Sequence, residues 1–257
     1  MAVDEAVLER YASSEREMPP TLRLYGWSPA ALTLGRGQDP PDERGRAYLS
    51  GHGIDLVRRP TGGGAVLHDA ERTYAIVGTL RTASFPRGVL DTYRRIARAL
   101  ERAFGALGVE VIPRIPDSAP RERAAAACFD ITSAYELTWQ NKKLVGSAQL
   151  RRRHGFLQHG AIPVRSEVDR LRRAIGRVGR GHRHGGLAEA MGTPLDEAKL
   201  DEALVEAFGR EFGVTIGRSV LTPEETERAT RLRCWKYLSA EWTLRGRIGA
   251  RERRWEP

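Results

Sequence analysis

The stretch Arg58-Arg59-Pro60-Thr61-Gly62-Gly63-Gly64-Ala65-Val66-Leu67-His68-Asp69 constrains the fold most. Three consecutive glycines cannot hold the interior of a helix or strand, and Ile54–Arg58 before them and Ala65–His68 after them carry extended patterns. The glycines therefore form a loop between strands. Without Cβ atoms they permit positive φ and let backbone N–H groups approach a ligand, while Arg58 and Arg59 can hold an anion or a carbonyl-rich arm. A tight turn remains the plainer alternative. No Gly-Lys-Ser/Thr ending follows, so the loop is not a P-loop, and the dinucleotide fingerprint is absent.

Around this loop the chain reads as strand-rich first and helical later. A helix is predicted over Asp4–Tyr11, strands over Thr21–Tyr25 and Ala31–Leu34, a helix over Asp42–Ser50 and a strand over Thr73–Leu80. Leu90, Tyr93, Ile96, Ala97, Leu100 and Phe104 recur at helical spacing, giving an amphipathic helix that ends near Gly105 or Gly108. A strand at Glu110–Ile112 leads into a Pro/Ala-rich connection, Pro113–Ala127. Tyr135–Trp139, Lys143–Leu150 and Gly155–Pro163 form a β-meander with a turn at Gln140-Asn141-Lys142. Val168–Ile175, Leu195–Phe212 and Pro223–Leu232 read as helices, separated by the Gly/Arg/His-rich stretch Gly176–Gly186. The expectation is one α+β domain over residues 1–257, with a helical part at about 165–245.

The strand after the turn, Lys142-Lys143-Leu144-Val145-Gly146-Ser147-Ala148-Gln149, begins with two lysines and continues in small residues against which a substrate can lie. The lysines point to opposite faces, so at most one faces a site. A solvated lysine pair is the alternative. Cys128 and Cys234 are expected as free thiols, because no export signal accompanies them. Cys234, beside Leu232 and Trp235, reads as core; Cys128 borders the Pro/Ala-rich connection, and either core or chemistry fits it. His182 and His184 lack a third ligand, so no metal is expected.

Three segments in order, the Gly triplet, Lys143–Gln149 and Leu157-Gln158-His159-Gly160-Ala161-Ile162, resemble the biotin/lipoate protein ligase superfamily on its lipoate side. Cys128-Phe129-Asp130 followed by Tyr135-Glu136-Leu137 is similar to the carrier-protein-dependent octanoyltransferases of lipoate assembly. Lys236-Tyr237 and Glu241-Trp242 resemble that family's ending. The resemblance implies a catalytic domain like class II aminoacyl-tRNA synthetases, a mixed or antiparallel sheet flanked by helices. It implies Cys128 as the residue that carries the octanoyl group and Lys143 as its cationic partner. Substrate-binding positions would be Arg59, Gly62, Gly63, Gly64, His68, Gly146, Ser147, Ala148, His159 and Gly160. His68 and His159 are candidate bases, and Val66, Leu67, Val145 and Ala148 candidate walls of an acyl slot.

The donor implied is an acyl carrier protein whose phosphopantetheine bears the octanoyl group. The acceptor is a lipoyl-domain protein, the glycine cleavage H protein or a 2-oxoacid dehydrogenase E2. ATP-using lipoate ligases carry Gly-Arg-Asn-Asp where this chain has Ala127-Cys128-Phe129-Asp130, so no ATP and no metal cofactor are expected. ATP-dependent ligation and transfer between two lipoyl domains are the enzymatic alternatives. A net charge of +9, from 42 Lys and Arg against 33 Asp and Glu, favours an acidic partner. A nucleic-acid-binding module would share that charge, but the arginines are scattered with no aromatic-interleaved run, so no nucleic acid is expected. With no apolar stretch near the roughly 20 residues that span a bilayer, a cytoplasmic monomer away from membranes is expected.

Overall fold

A computed structural model of the protein describes residues 1–14, 18–80, 85–86, 88–114, 135–176 and 184–247. Its centre is an antiparallel sheet in the order β1-β5-β10-β9, built from β1 (Thr21–Tyr25), β5 (Glu71–Thr79), β10 (Gly155–Pro163) and β9 (Gly146–Arg151). Side chains alternate across a strand, and here both faces are covered. Tyr74, Ile76 and Phe156 pack with α3 (Val89–Ala106) and α6 (Glu197–Phe212) on one side. Ala75, Val77 and Leu157 pack with Val7, Leu8 and Tyr11 of α1 (Ala2–Ser13) on the other.

A second sheet, β3-β2-β4, carries the glycine loop. Its strands β2 (Ala31–Leu34) and β3 (Asp55–Arg58) are parallel, which requires a crossover, and α2 (Glu43–Gly51) supplies it. The Asp42 side chain caps α2 by accepting from Gly45 N at 2.8 Å. β4 (Val66–His68) returns antiparallel to β2, so the loop spans the two outer strands, and α4 (Val168–Ile175) packs against this unit.

The expected meander is divided between two sheets. β7 (Glu136–Trp139) and β8 (Lys142–Lys143) pair with β6 (Ile112–Arg114), joined by Gln140 and Asn141 at φ 47° and 59°, a geometry suited to a tight hairpin. The predicted strand Lys143–Leu150 breaks at Leu144 and Val145, which are 1% and 3% exposed. Consecutive residues on one strand face opposite ways, and these two both enter the main core only because the chain leaves one sheet there and joins another. β6 begins later than expected and includes Pro113, tolerated because β6 is an edge strand that needs no N–H there. The expected connection past Arg114, with Cys128, lies outside the described residues.

The helical part contains two helices the sequence reading omits, α5 (Leu187–Met191) and α8 (Ala240–Arg245), besides α7 (Pro223–Leu232). The helix expected from Leu195 starts at Glu197, where Asp196 caps it by accepting from Ala198 N at 2.9 Å. Cys234 is not core but exposed. It sits in a single π turn, Arg233–Tyr237, whose inward residues are Lys236 and Tyr237. Lys236 Nζ donates to both Glu5 carboxylate oxygens at 2.7 Å, and Tyr237 donates to Oε2 at 2.6 Å. This buried cluster ties the end of the described chain to α1. No helix among the described residues is long and apolar enough to cross a membrane.

Gly160 marks the tightest packing between strands near the loop. A Cβ there would lie 2.5 Å from Tyr74 Cε1 and 2.9 Å from both Gly146 O and Ser147 Oγ. Gly160→Ala should destabilise the protein by about 1–3 kcal/mol in urea unfolding, as overpacked cores do; unchanged stability would mean β9 and Tyr74 yield without strain.

Candidate active site

The glycine loop, the lysine strand and the edge of the main sheet enclose a cavity of about 380 Å³, within the range of small-ligand sites. Arg58 lies outside the cavity wall and bonds Gln38, which is in it. This arginine is 2% exposed and spends its guanidinium on carbonyls of its own chain: Nη1 donates to Gly35, Arg36 and Gln38 at 2.8, 3.1 and 2.6 Å, and Nε to Trp242 and Thr243 at 3.0 and 3.1 Å. Arg59 lines the cavity but is committed likewise, with Nη2 donating to Gly62 O at 2.6 Å and Gly64 O at 2.8 Å. Burial pushes its guanidinium down to about 10, still cationic at neutral pH. Both arginines bond carbonyls of their own chain and hold the surrounding loops in shape, and Arg59 also lines the cavity.

Only glycine fits at two of these loop positions. Gly63 has φ +94°, and a Cβ on Gly35 would lie 1.9 Å from Gly63 O. The stretch Gly35–Gln38 thus packs directly on the triplet, and Gln38 reaches the cavity. Thr61 exchanges a 2.7 Å hydrogen bond with His159 Nε2, tying the loop to β10.

Lys143 faces the cavity and forms an ion pair with Glu136, also in the wall. Lys142 points the other way, 3.7 Å from Glu189 and 5.4 Å from the centre of the Trp139 ring. Beyond Lys143, Gly146, Ser147 and Ala148 present a small-residue wall on β9, an edge strand with one flank unpaired among the described residues. Ser147 Oγ lies 2.7 Å from Tyr74 OH. Gly185 N donates to Lys143 O at 3.0 Å, bringing His184 into the wall rather than leaving it on a solvated loop. His182 is outside the described residues.

The cavity gathers most of the residues singled out by sequence. Arg59, Gly63, Gly64 and His68 reach it from the loop side; Lys143, Gly146, Ser147, Ala148, His159 and Gly160 reach it from the strands. Gly62 does not; its carbonyl faces Arg59 instead. Val66, Val145 and Ala148 contribute apolar wall, whereas Leu67 points into the core of the second sheet. Cys128 is outside the described residues. Glu136, Gln38 and Thr33 also line the cavity, although a carboxylate in a strand, a glutamine after Gly37 and a strand threonine carry no local signature.

His68 is fully engaged: Nδ1 lies 2.9 Å from Glu71 Oε1, Nε2 lies 2.9 Å from Thr33 Oγ1, and the ring stacks on Trp27 at 4.2 Å. His159 Nδ1 is buried, 3.8 Å from Asp4 Oδ2, too far for a hydrogen bond. Asp4 itself is held by Arg23 and by Tyr25 OH at 2.7 Å.

Residues 1–209 match the family model described as the lipoyl protein ligase A/B catalytic domain. The chain belongs to that family. Relatives similar over nearly their whole length are octanoyltransferases: LipM of Kyrpidia tusciae is 42% identical, and LipM of Symbiobacterium thermophilum 37%, each over 95% of this chain and 93% of the relative. The fold matches a structure of lipoate-protein ligase A bound with ATP, with TM-score 0.76 and 23% identity over 95% of this chain and 92% of that one. It also matches a bipartite lipoate protein ligase from Thermoplasma acidophilum, with TM-score 0.74 and 24% identity over 95% and 89%.

Burial pushes the His159 imidazole below its ordinary 6.5, with Asp4 offsetting part of the effect. The unfolded chain then takes up a proton as pH falls through 6.5 that the folded chain refuses, so this contribution is intact above pH 6.5 and declines below it. His159→Gln should flatten the loss of stability between pH 6.5 and 5 in urea titrations. An identical slope in variant and parent would show that the imidazole accepts its proton inside the fold.

Proposed function

We propose that this chain, an octanoyltransferase of lipoate biosynthesis by its family and its full-length relatives, carries the octanoyl group as a thioester on Cys128. The observation that carries the reading is the Lys143 ammonium facing a cavity walled by the glycine loop and by a small-residue edge strand. Cys128 stands seven residues before Tyr135-Glu136-Leu137, the segment that leads to the lysine hairpin.

In the first step the Cys128 thiolate attacks the carbonyl carbon of an octanoyl thioester on the carrier's phosphopantetheine. The carbon–sulfur bond to pantetheine breaks, and the carrier thiol leaves. A thiol of ordinary pKa about 8.5 is mostly protonated at neutral pH, and a nearby ammonium favours the thiolate. The same cation, with unpaired N–H groups of the β9 edge, stabilises the oxyanion of the tetrahedral intermediate. In the second step the lysine amine of a lipoyl domain attacks the Cys128 thioester; a carbon–nitrogen bond forms and the carbon–sulfur bond breaks. Thioester exchange is nearly balanced and amide formation runs downhill, so neither ATP nor a metal is needed.

The apolar wall of Val66, Val145 and Ala148 suits the alkyl chain, each buried methylene contributing about 0.8 kcal/mol. The cationic chain, at +9, attracts acidic carrier and lipoyl domains. One polypeptide supplies every wall described, which supports action as a monomer, and a reducing cytoplasm keeps Cys128 a free thiol.

Mixing the protein with octanoyl carrier protein and weighing it intact should reveal one octanoyl adduct, absent in Cys128→Ala and retained in Cys234→Ser. Lys143→Ala should lower transfer to a lipoyl domain by about 100-fold or more, the scale of losing one oxyanion donor. A Cys128→Ala variant that turns over normally, or modification that requires free octanoate and ATP, would overturn the reading.

A further inference from the structure

The second step needs a group to take protons from the attacking lysine, and two of the cavity's histidines are poorly placed for it. Both ring nitrogens of His68 are engaged by Glu71 and Thr33. His159 turns Nε2 to Thr61 and buries Nδ1 toward Asp4. Among the described residues, Glu136 is the one carboxylate in the cavity wall. Its backbone is fixed on β7 by pairing with Arg114 of β6, and two residues on, Thr138 pairs with Lys143 of β8. Glu136 and Lys143 therefore share a face as diagonal neighbours, which directs the carboxylate at the ammonium. Its side chain is 14% exposed and that of Lys143 25%, so the pair meets the cavity while largely withdrawn from water.

Charge gives this carboxylate a second use. An acceptor lysine enters as an ammonium beside Lys143, and two cations in one small cavity repel strongly at low effective dielectric. Glu136 offsets that repulsion and gives the incoming ammonium an anion to seek.

We propose that Glu136 receives the acceptor lysine and acts as the base of the second half-reaction, an assignment that rests on the Cys128 thioester reading. The acceptor ammonium releases one proton to solvent on becoming the attacking amine. As the nitrogen adds to the thioester carbon, Glu136 takes a proton from it while Lys143 holds the oxyanion. The intermediate then expels Cys128 as thiolate, the amide keeps the remaining N–H, and Glu136 returns its proton to the sulfur or to solvent. General bases of this kind accelerate reactions by about 10²–10⁴-fold.

The test separates the two half-reactions. Octanoyl-enzyme formation is followed by intact mass after mixing with octanoyl carrier protein, and its discharge is followed in single turnover with a lipoyl domain between pH 5 and 9. Glu136→Gln should still form the octanoyl-enzyme yet discharge it about 100-fold or more slowly than the parent. Glu136→Asp, which keeps the carboxylate, should recover much of the discharge, and matching thermal unfolding controls for folding. Undiminished discharge in Glu136→Gln would overturn the assignment. So would equal losses in both half-reactions, because Glu136 would then serve only to position Lys143. A parent protein that forms no Cys128 adduct would strike the thioester reading itself, and this assignment with it.

Discussion

Two buried guanidinium groups, Arg59 in the cavity wall and Arg58 behind it, are satisfied by carbonyls rather than by carboxylates. A cation taken out of water costs several kcal/mol unless hydrogen bonds replace its hydration. Arg58 and Arg59 recover that cost by drawing in the carbonyls of Gly35, Arg36, Gln38, Gly62, Gly64 and residues 242–244 from distant parts of the chain. The reverse bond, Trp242 Nε1 to Arg58 O at 2.8 Å, closes the arrangement. The loops around the cavity are thus held before any substrate arrives, which is the preorganisation a transfer site requires. The glycines are its steric counterpart, since Gly35 and Gly63 approach more closely than any side chain allows.

Within that frame the charges are few and each has a partner. A unit charge about 4 Å from an ammonium interacts by about 4 kcal/mol at an effective dielectric near 20, equivalent to roughly three pKa units, which is the scale of help the proposed mechanism asks of Lys143. Glu136 competes for the same ammonium. In the proposed transfer a thiolate and this carboxylate would share one cation in turn, and the charge that stabilises the nucleophile in one step would serve the oxyanion in the next. Burial pushes the His159 imidazole below its ordinary value, which disfavours a further cation beside Lys143 and Arg59.

Local patterns made much of the architecture legible. Thr21–Tyr25, Ala31–Leu34, Gly155–Pro163, Val168–Ile175 and Pro223–Leu232 have the boundaries their residue patterns predict, because turn residues and caps delimit them. The glycine loop and the lysine strand were readable as a pair through resemblance, and they meet at one cavity. Partnering across the chain was not readable. Nothing near Arg58 indicates that it serves the backbone of Trp242, and nothing near Leu144 indicates that the strand changes sheets there. Cys234 misled because its apolar neighbours suggest core, whereas the π turn rotates Lys236 and Tyr237 inward and leaves the thiol outside. The pairing of Glu136 with Lys143 has no local signature, because it depends on which face of β7 meets the hairpin partner.

In the proposed mechanism Cys128 is ionised at neutral pH by Lys143 of β8. Its alkylation by iodoacetamide, followed peptide by peptide across pH 5–10 in the parent and in Lys143→Met, measures that ionisation directly. The expected result is a Cys128 apparent pKa well below the ordinary value of about 8.5, rising toward it when Lys143 is replaced. A Cys128 that titrates at the ordinary value in both proteins would contradict it.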